Sequence, residues 1–172
     1  MTDAIPAETS ATAHRSSAWR WWKNLNEEDR AGRAELRRCG SVAEVAFTAP
    51  YHQLLRRLGS RLKEGDAMRV AALAAILSHV EDEPASGASV ARQMGTAKSE
   101  GQNSIVSDSR FRHLLRADDA DDLMREMIRI VRQLDRKVPV EAMFRDLMRW
   151  DEKTRMQWAR DFYEAAPITK KA

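Results

Sequence analysis

Apolar side chains recur along the chain at intervals of three and four residues. No segment alternates apolar and polar positions as a half-buried strand would. The pattern therefore predicts helices almost throughout. Ser17 precedes a short aromatic helix carrying Trp19, Trp21 and Trp22 and ending near Asn26. Asn26 is a good N-cap for a second helix, with Glu27, Glu28 and Asp29 in its first turn, which runs to Cys39 and stops at Gly40. Ser41 caps a short piece over 42–47. Thr48 opens a helix with Pro50 in its first turn that carries Leu54, Leu55 and Leu58 to Gly59. Asp66 is placed to cap an alanine-rich helix over 67–80, the most apolar element and the expected centre of the N-terminal half.

The periodicity breaks at residues 81–89, where Pro84 and Gly87 read as a connection. A short helix over 90–94 follows, and the polar stretch 95–106, with Lys98, Gly101, Gln102 and Asn103, is expected to be mobile. Closely spaced helices then resume. Ser107 caps one carrying Phe111, Leu114 and Leu115. Asp118 to Asp122 open another reaching Lys137, Pro139 starts a third that ends near Trp150, and Asp151 caps a fourth that stops before Pro167. Short connections favour antiparallel neighbours. The expectation is an all-α chain with a leader over 1–16, an N-terminal helical lobe over 17–80, a connecting region over 81–106, a C-terminal bundle over 107–166 and a tail over 167–172.

Composition adds limits to this outline. The chain has 172 residues and is 43% apolar, enough for a real core. The longest uncharged apolar-leaning run, Val70 to Val80, is too short to span a bilayer, which takes about 20 residues. Cys39 is the single cysteine, so no intrachain disulfide and no thiolate zinc site can form, and a reducing cytoplasm is the expected setting. The N-terminal stretch lacks the basic and apolar regions of a secretory signal. Lys and Arg total 29 against 26 acids, a net charge of +3 that does not by itself indicate a polyanion partner. Of the 29, however, 22 are arginine, and their placement on helices matters more than the sum.

On the helix over 120–137, Arg125, Arg129, Arg132 and Arg136 fall on one side, opposite Leu123, Met127, Ile130 and Leu134. Such a stripe can track a phosphate backbone. The commoner use of such charges is a solvated, ion-paired face, which fits here because Asp121 precedes Arg125 by four residues and Glu126 precedes Arg129 by three. A second group comprises Arg30, Arg33, Arg37 and Arg38. A third, Arg110, Arg112 and Arg116, has no acid in its helix after Asp108 and adjoins the loop bearing Lys98. Enzyme signals are missing from the sequence: His14, His52, His79 and His113 are scattered, there is no phosphate-binding glycine loop, and no nucleophile has a visible base. The run Asp118, Asp119, Asp121, Asp122 suits a helix start better than a metal ion. His113 is expected to pack partly buried, and the first helix with its three indoles to pack across the N-terminal lobe, the alternative being one indole left at the surface for an interface or base stacking.

Three segments carry a resemblance. Ser109-Arg-Phe-Arg-His-Leu-Leu-Arg-Ala117, the pair Leu147-Met-Arg-Trp150 and Gln157-Trp-Ala-Arg-Asp-Phe-Tyr163, and Arg30-Ala-Gly-Arg-Ala-Glu-Leu-Arg-Arg38 occur in the order seen in one family. Together they resemble the small subunit of the type I-E CRISPR surveillance complex Cascade, the CasB family, over residues 19–166. The resemblance implies a non-enzymatic, cofactor-free, all-helical subunit. It would sit beside a second copy of itself and the backbone and large subunits. Its implied role is to hold the target and displaced DNA strands of an R-loop without reading sequence, with guide RNA as a further contact. Motif matching carries Arg37, Arg38, Arg110 and Arg116 over as backbone contacts. Arg92, Lys98, Arg112, Arg129, Arg132 and Arg136 join them as candidates on charge placement alone. The competing reading is a purely structural helical adaptor whose arginines pair with protein partners.

Overall fold

A computed structural model describes residues 15–168. Most of the expected leader, and the last residues of the tail, lie outside the described residues. Among the described residues ten α-helices follow one another: α1 (Ser17–Glu27), α2 (Arg30–Arg38), α3 (Val42–Val45), α4 (Ala49–Leu58), α5 (Asp66–Ser78), α6 (Val90–Gly95), α7 (Asp108–Leu115), α8 (Ala120–Gln133), α9 (Val140–Arg149) and α10 (Glu152–Ala165). A 3-10 turn, Gly59–Arg61, extends α4. The described residues contain no strand, only two isolated bridges, so the chain is all-α.

The alanine-rich α5 is the axis of the fold. Every residue from Val70 to Ser78 is buried, as an element apolar on all sides must be. Its alanines let α1, α2, α3, α4, α8 and α9 pack around it. The halves expected on either side of residues 81–106 meet along this helix. Their buried apolar side chains form one cluster, from Trp19 to Phe162. All three N-terminal indoles belong to it, so none is left at the surface. Each finds an acceptor for its Nε1–H: Glu83 for Trp19, the Pro50 carbonyl for Trp21 and the Val80 carbonyl for Trp22.

Several helix ends differ from the sequence expectation. α1 runs on to Glu27, and Asp29 caps α2 by accepting from the Gly32 N–H. Asn26, expected as that cap, donates instead to the Glu81 carbonyl. Gly65, in the left-handed region at φ 90°, is the cap of α5, whereas Asp66 sits in the first turn. The connection 81–106 is also anchored more firmly than its polar composition suggests. Val90, Ala91, Met94 and Gly95 of α6 are buried against α10. The Ile105 and Val106 N–H groups bond to the Thr96 and Met94 carbonyls, and Glu81 and Asp82 bond to the Arg136 carbonyl.

The change that bears most on function is at the end of α8. The helix stops at Gln133, and Asp135 and Arg136 both take positive φ, 55° and 61°. The expected helical stripe therefore loses its last member. Arg136 leaves the helix in a turn whose carbonyl is held by the 81–82 backbone.

Candidate nucleic-acid interface

Two basic clusters flank the exposed side of α8. The first is built around Glu126, whose side chain is only 7% exposed. α7 lies against α8. Ser107 caps α7 by accepting from the Arg110 N–H, and Phe111 and Leu114 bury its apolar side. This orientation brings Arg110 within 3.7 Å and His113 within 3.6 Å of the Glu126 carboxylate, which also accepts from Arg129 at 2.9 Å. Arg116 lines the same shallow depression together with Ser107 and Ser109. Two arginines and an imidazole thus share one carboxylate, with Arg116 beside them in the depression. His113 projects into solvent, contrary to the packing role expected for it, because the leucines beside it take the buried side.

The second cluster gathers at the C-terminal end of α5. Arg33 and Arg37, one turn apart on α2, both donate through Nε to the Ser78 carbonyl, at 3.1 and 2.7 Å. That carbonyl is one of those a helix terminus leaves without an intrahelical partner. Glu81 lies 3.8 Å from Arg33, 3.5 Å from Arg37 and 3.8 Å from Arg136. His79 is buried in the same place, and its ring is pushed down to about 4, first by burial and then by Arg132, Arg37, Arg136 and Arg33. Three guanidinium groups accordingly surround a single carboxylate, and a fourth, that of Arg132, acts on His79 beside it. Arg129 and Arg132 stand one turn apart on α8 and link the two clusters.

Of the candidates named from the sequence, Arg110, Arg116 and Arg129 meet in the first cluster. Arg37, Arg132 and Arg136 meet in the second, where Arg33 joins them. Arg38 is exposed at the end of α2 and forms no ion pair among the described residues. Lys98 is exposed in the loop closed by the Ala97–Ser104 bridge and forms no ion pair among the described residues. Two candidates separate from the others. Arg112 points to the far side of α7, paired with Asp108 at 3.0 Å and bonded to the Tyr163 hydroxyl. Arg92 pairs with Glu164 at 3.0 Å. Arg125 is also satisfied locally, by Asp122 and not by Asp121, whose carboxylate accepts from the Val42 N–H. The acidic run is spent in this way: Asp118 on Arg155, Asp119 as the α8 cap, Asp121 on α3 and Asp122 on Arg125.

Arg56, Arg57 and Arg61, not singled out in the sequence, are exposed at the end of α4 and have no ion pair among the described residues. The signal for them was an arginine pair in a last helical turn with no acid within four residues before it. Among the described residues no group of three or more His, Cys, Asp or Glu side chains could hold a metal ion. Nor, among the described residues, is any helix long and apolar enough to cross a membrane. What the clusters can do is bind anions. Guanidinium groups stay charged at any cellular pH and offer paired donors to phosphate oxygens.

The model of one family, CRISPR-associated protein Cse2, matches residues 32–163. The chain belongs to the Cse2 family. This bears out the resemblance to the Cascade small subunit, and the matched span contains both arginine clusters. A chain in the crystal structure of E. coli Cascade bound to a PAM-containing dsDNA target has the same fold. The TM-score is 0.68 at 20% identity, over 88% of this Cse2-family chain and 97% of that one. A comparison with curated protein sequences found no relative.

Proposed function

We propose that this Cse2-family chain is a non-catalytic subunit of Cascade that holds the strands of the R-loop through their phosphates, without reading sequence. The observation that carries the reading is the arginine excess on one side of α8, where Glu126 is shared by two arginines and a histidine and Glu81 by three arginines. A strand held by its backbone needs several separated cations and no deep pocket. Because R-loop formation is a nearly balanced exchange of base pairs, modest backbone contacts can tip it. The solved complex with a similar fold is described as bound to DNA, which agrees with this role.

The adaptor reading has its own support on another side of the molecule. Arg92 and Arg112 are each matched by a carboxylate there, beside the end of α10. That surface suits protein neighbours, including the other Cascade subunits and a second copy of the chain. The α8 side suits the nucleic acid, either DNA strand or the guide RNA.

The test is filter binding of the protein to an oligothymidine strand between about 50 and 200 mM salt. About four phosphate contacts predict a log–log slope near −3, from roughly −0.7 per contact on a single strand. No retention at the low-salt end contradicts the proposal.

A further inference from the structure

We infer that the end of α5 carries a phosphate site in which Glu81 stands in for the ligand, and that a phosphodiester of a bound single strand displaces its carboxylate. The inference rests on the strand-holding role proposed above and names one subsite of it.

The two carboxylates of the basic clusters are held in opposite ways. Glu126 is buried and accepts from Arg129 at 2.9 Å, a normal charge-assisted bond. Glu81 is 53% exposed and touches three guanidinium groups at 3.5–3.8 Å, beyond the distance of a tight ionic hydrogen bond. Its backbone is pinned to the Arg136 carbonyl at 2.8 Å, so only its side chain is free to swing away.

The groups around it are correspondingly short of partners. Arg33 Nη2, Arg136 Nη1 and His79 Nδ1 are buried and make no hydrogen bond. A buried donor left without an acceptor is costly, and most native structures avoid it. Here two guanidinium groups lack one in the same place. Arg33 and Arg37 are themselves fixed by their Nε bonds to Ser78, which leaves their outer nitrogens for another acceptor. Arg136 is brought in by a turn of two non-glycine residues with positive φ, an arrangement that costs free energy and is kept where the surroundings demand it. A carboxylate offers two oxygens to three forks. A phosphodiester offers two anionic oxygens in a tetrahedral frame, brings its own strand, and leaves Glu81 to solvent.

The decisive experiment measures anisotropy of a labelled oligothymidine with wild-type chain, Glu81→Gln and Glu164→Gln. The last removes the same charge from the Arg92 pair on another surface. Glu81→Gln should bind about three- to tenfold tighter than wild type, and Glu164→Gln about the same as wild type. Adding Arg33→Ala to Glu81→Gln should cancel the gain. Inorganic phosphate added at constant ionic strength should compete no better against Glu81→Gln than against wild type, since the site takes a strand phosphate. Preferential competition there would overturn the assignment to a strand. Equal affinities of Glu81→Gln and wild type, or an equal gain in both Gln variants, overturn the subsite while strand holding stands. If no variant binds the oligonucleotide, strand holding and the subsite fail together.

Discussion

Arg33 and Arg37 donate through Nε to the same carbonyl oxygen, that of Ser78, at 3.1 and 2.7 Å. Two cations thereby close the C-terminal end of the most buried helix, where the helix dipole places partial negative charge. The arrangement fixes both guanidinium groups at the helix end. It also concentrates positive charge beside His79, three residues from Ile76 in the core.

That placement makes His79 a pH-sensitive point. Its ordinary value is 6.5, and burial with Arg132, Arg37, Arg136 and Arg33 facing it pushes the folded value down to about 4; Glu81 is the carboxylate nearest those arginines. The unfolded chain therefore binds more protons between these values. Stability is complete above pH 6.5 and falls as pH drops toward 4, by about 2–3 kcal/mol from this group. Urea midpoints measured at pH 7 and about 4.5 for wild type and His79→Leu isolate the effect, because other carboxylates titrate alike in both. The wild-type advantage should shrink at the lower pH; an unchanged difference contradicts the buried neutral imidazole.

Gly95 sits where α6 meets α10. A Cβ at this position would come within 2.2 Å of the Phe162 carbonyl oxygen, a backbone atom that cannot step aside. Gly95→Ala should cost about 3 kcal/mol, the upper range for overpacking. A urea midpoint within error of wild type would show that the α6–α10 contact is looser than described.

The helical class, the caps Ser41, Ser107 and Asp151, and the central place of α5 follow from periodicity and capping chemistry, which act within a few residues. The cluster around Arg110, Arg116 and Glu126 was half legible. The lack of acids within α7 showed in the sequence, but the carboxylate that reaches it comes from α8. The second cluster was less so. Arg37 and Arg132 stood on recognisable faces, but helix periodicity extended α8 through Arg136, where backbone bonds to residues 81 and 82 turn the chain instead. Arg92 failed to join because its partner, Glu164, lies on a helix distant in sequence, and Arg112 because Asp108 one turn before it and Tyr163 of that same distant helix hold it. Tertiary neighbours decide which charges remain available, and helix spacing does not report them.

The central claim is that the arginine-rich side of α8, and not basic charge in general, holds the R-loop. The most direct measurement is R-loop lifetime on Cascade assembled with the double variant Arg110→Glu/Arg116→Glu, beside Arg92→Glu/Arg112→Glu from the carboxylate-matched surface. Both change the net charge equally. The first should shorten the lifetime about tenfold or more, equivalent to roughly 1.4 kcal/mol, while the second leaves it near wild type. An unchanged lifetime with Arg110→Glu/Arg116→Glu, or equal losses in the two variants, would contradict the account.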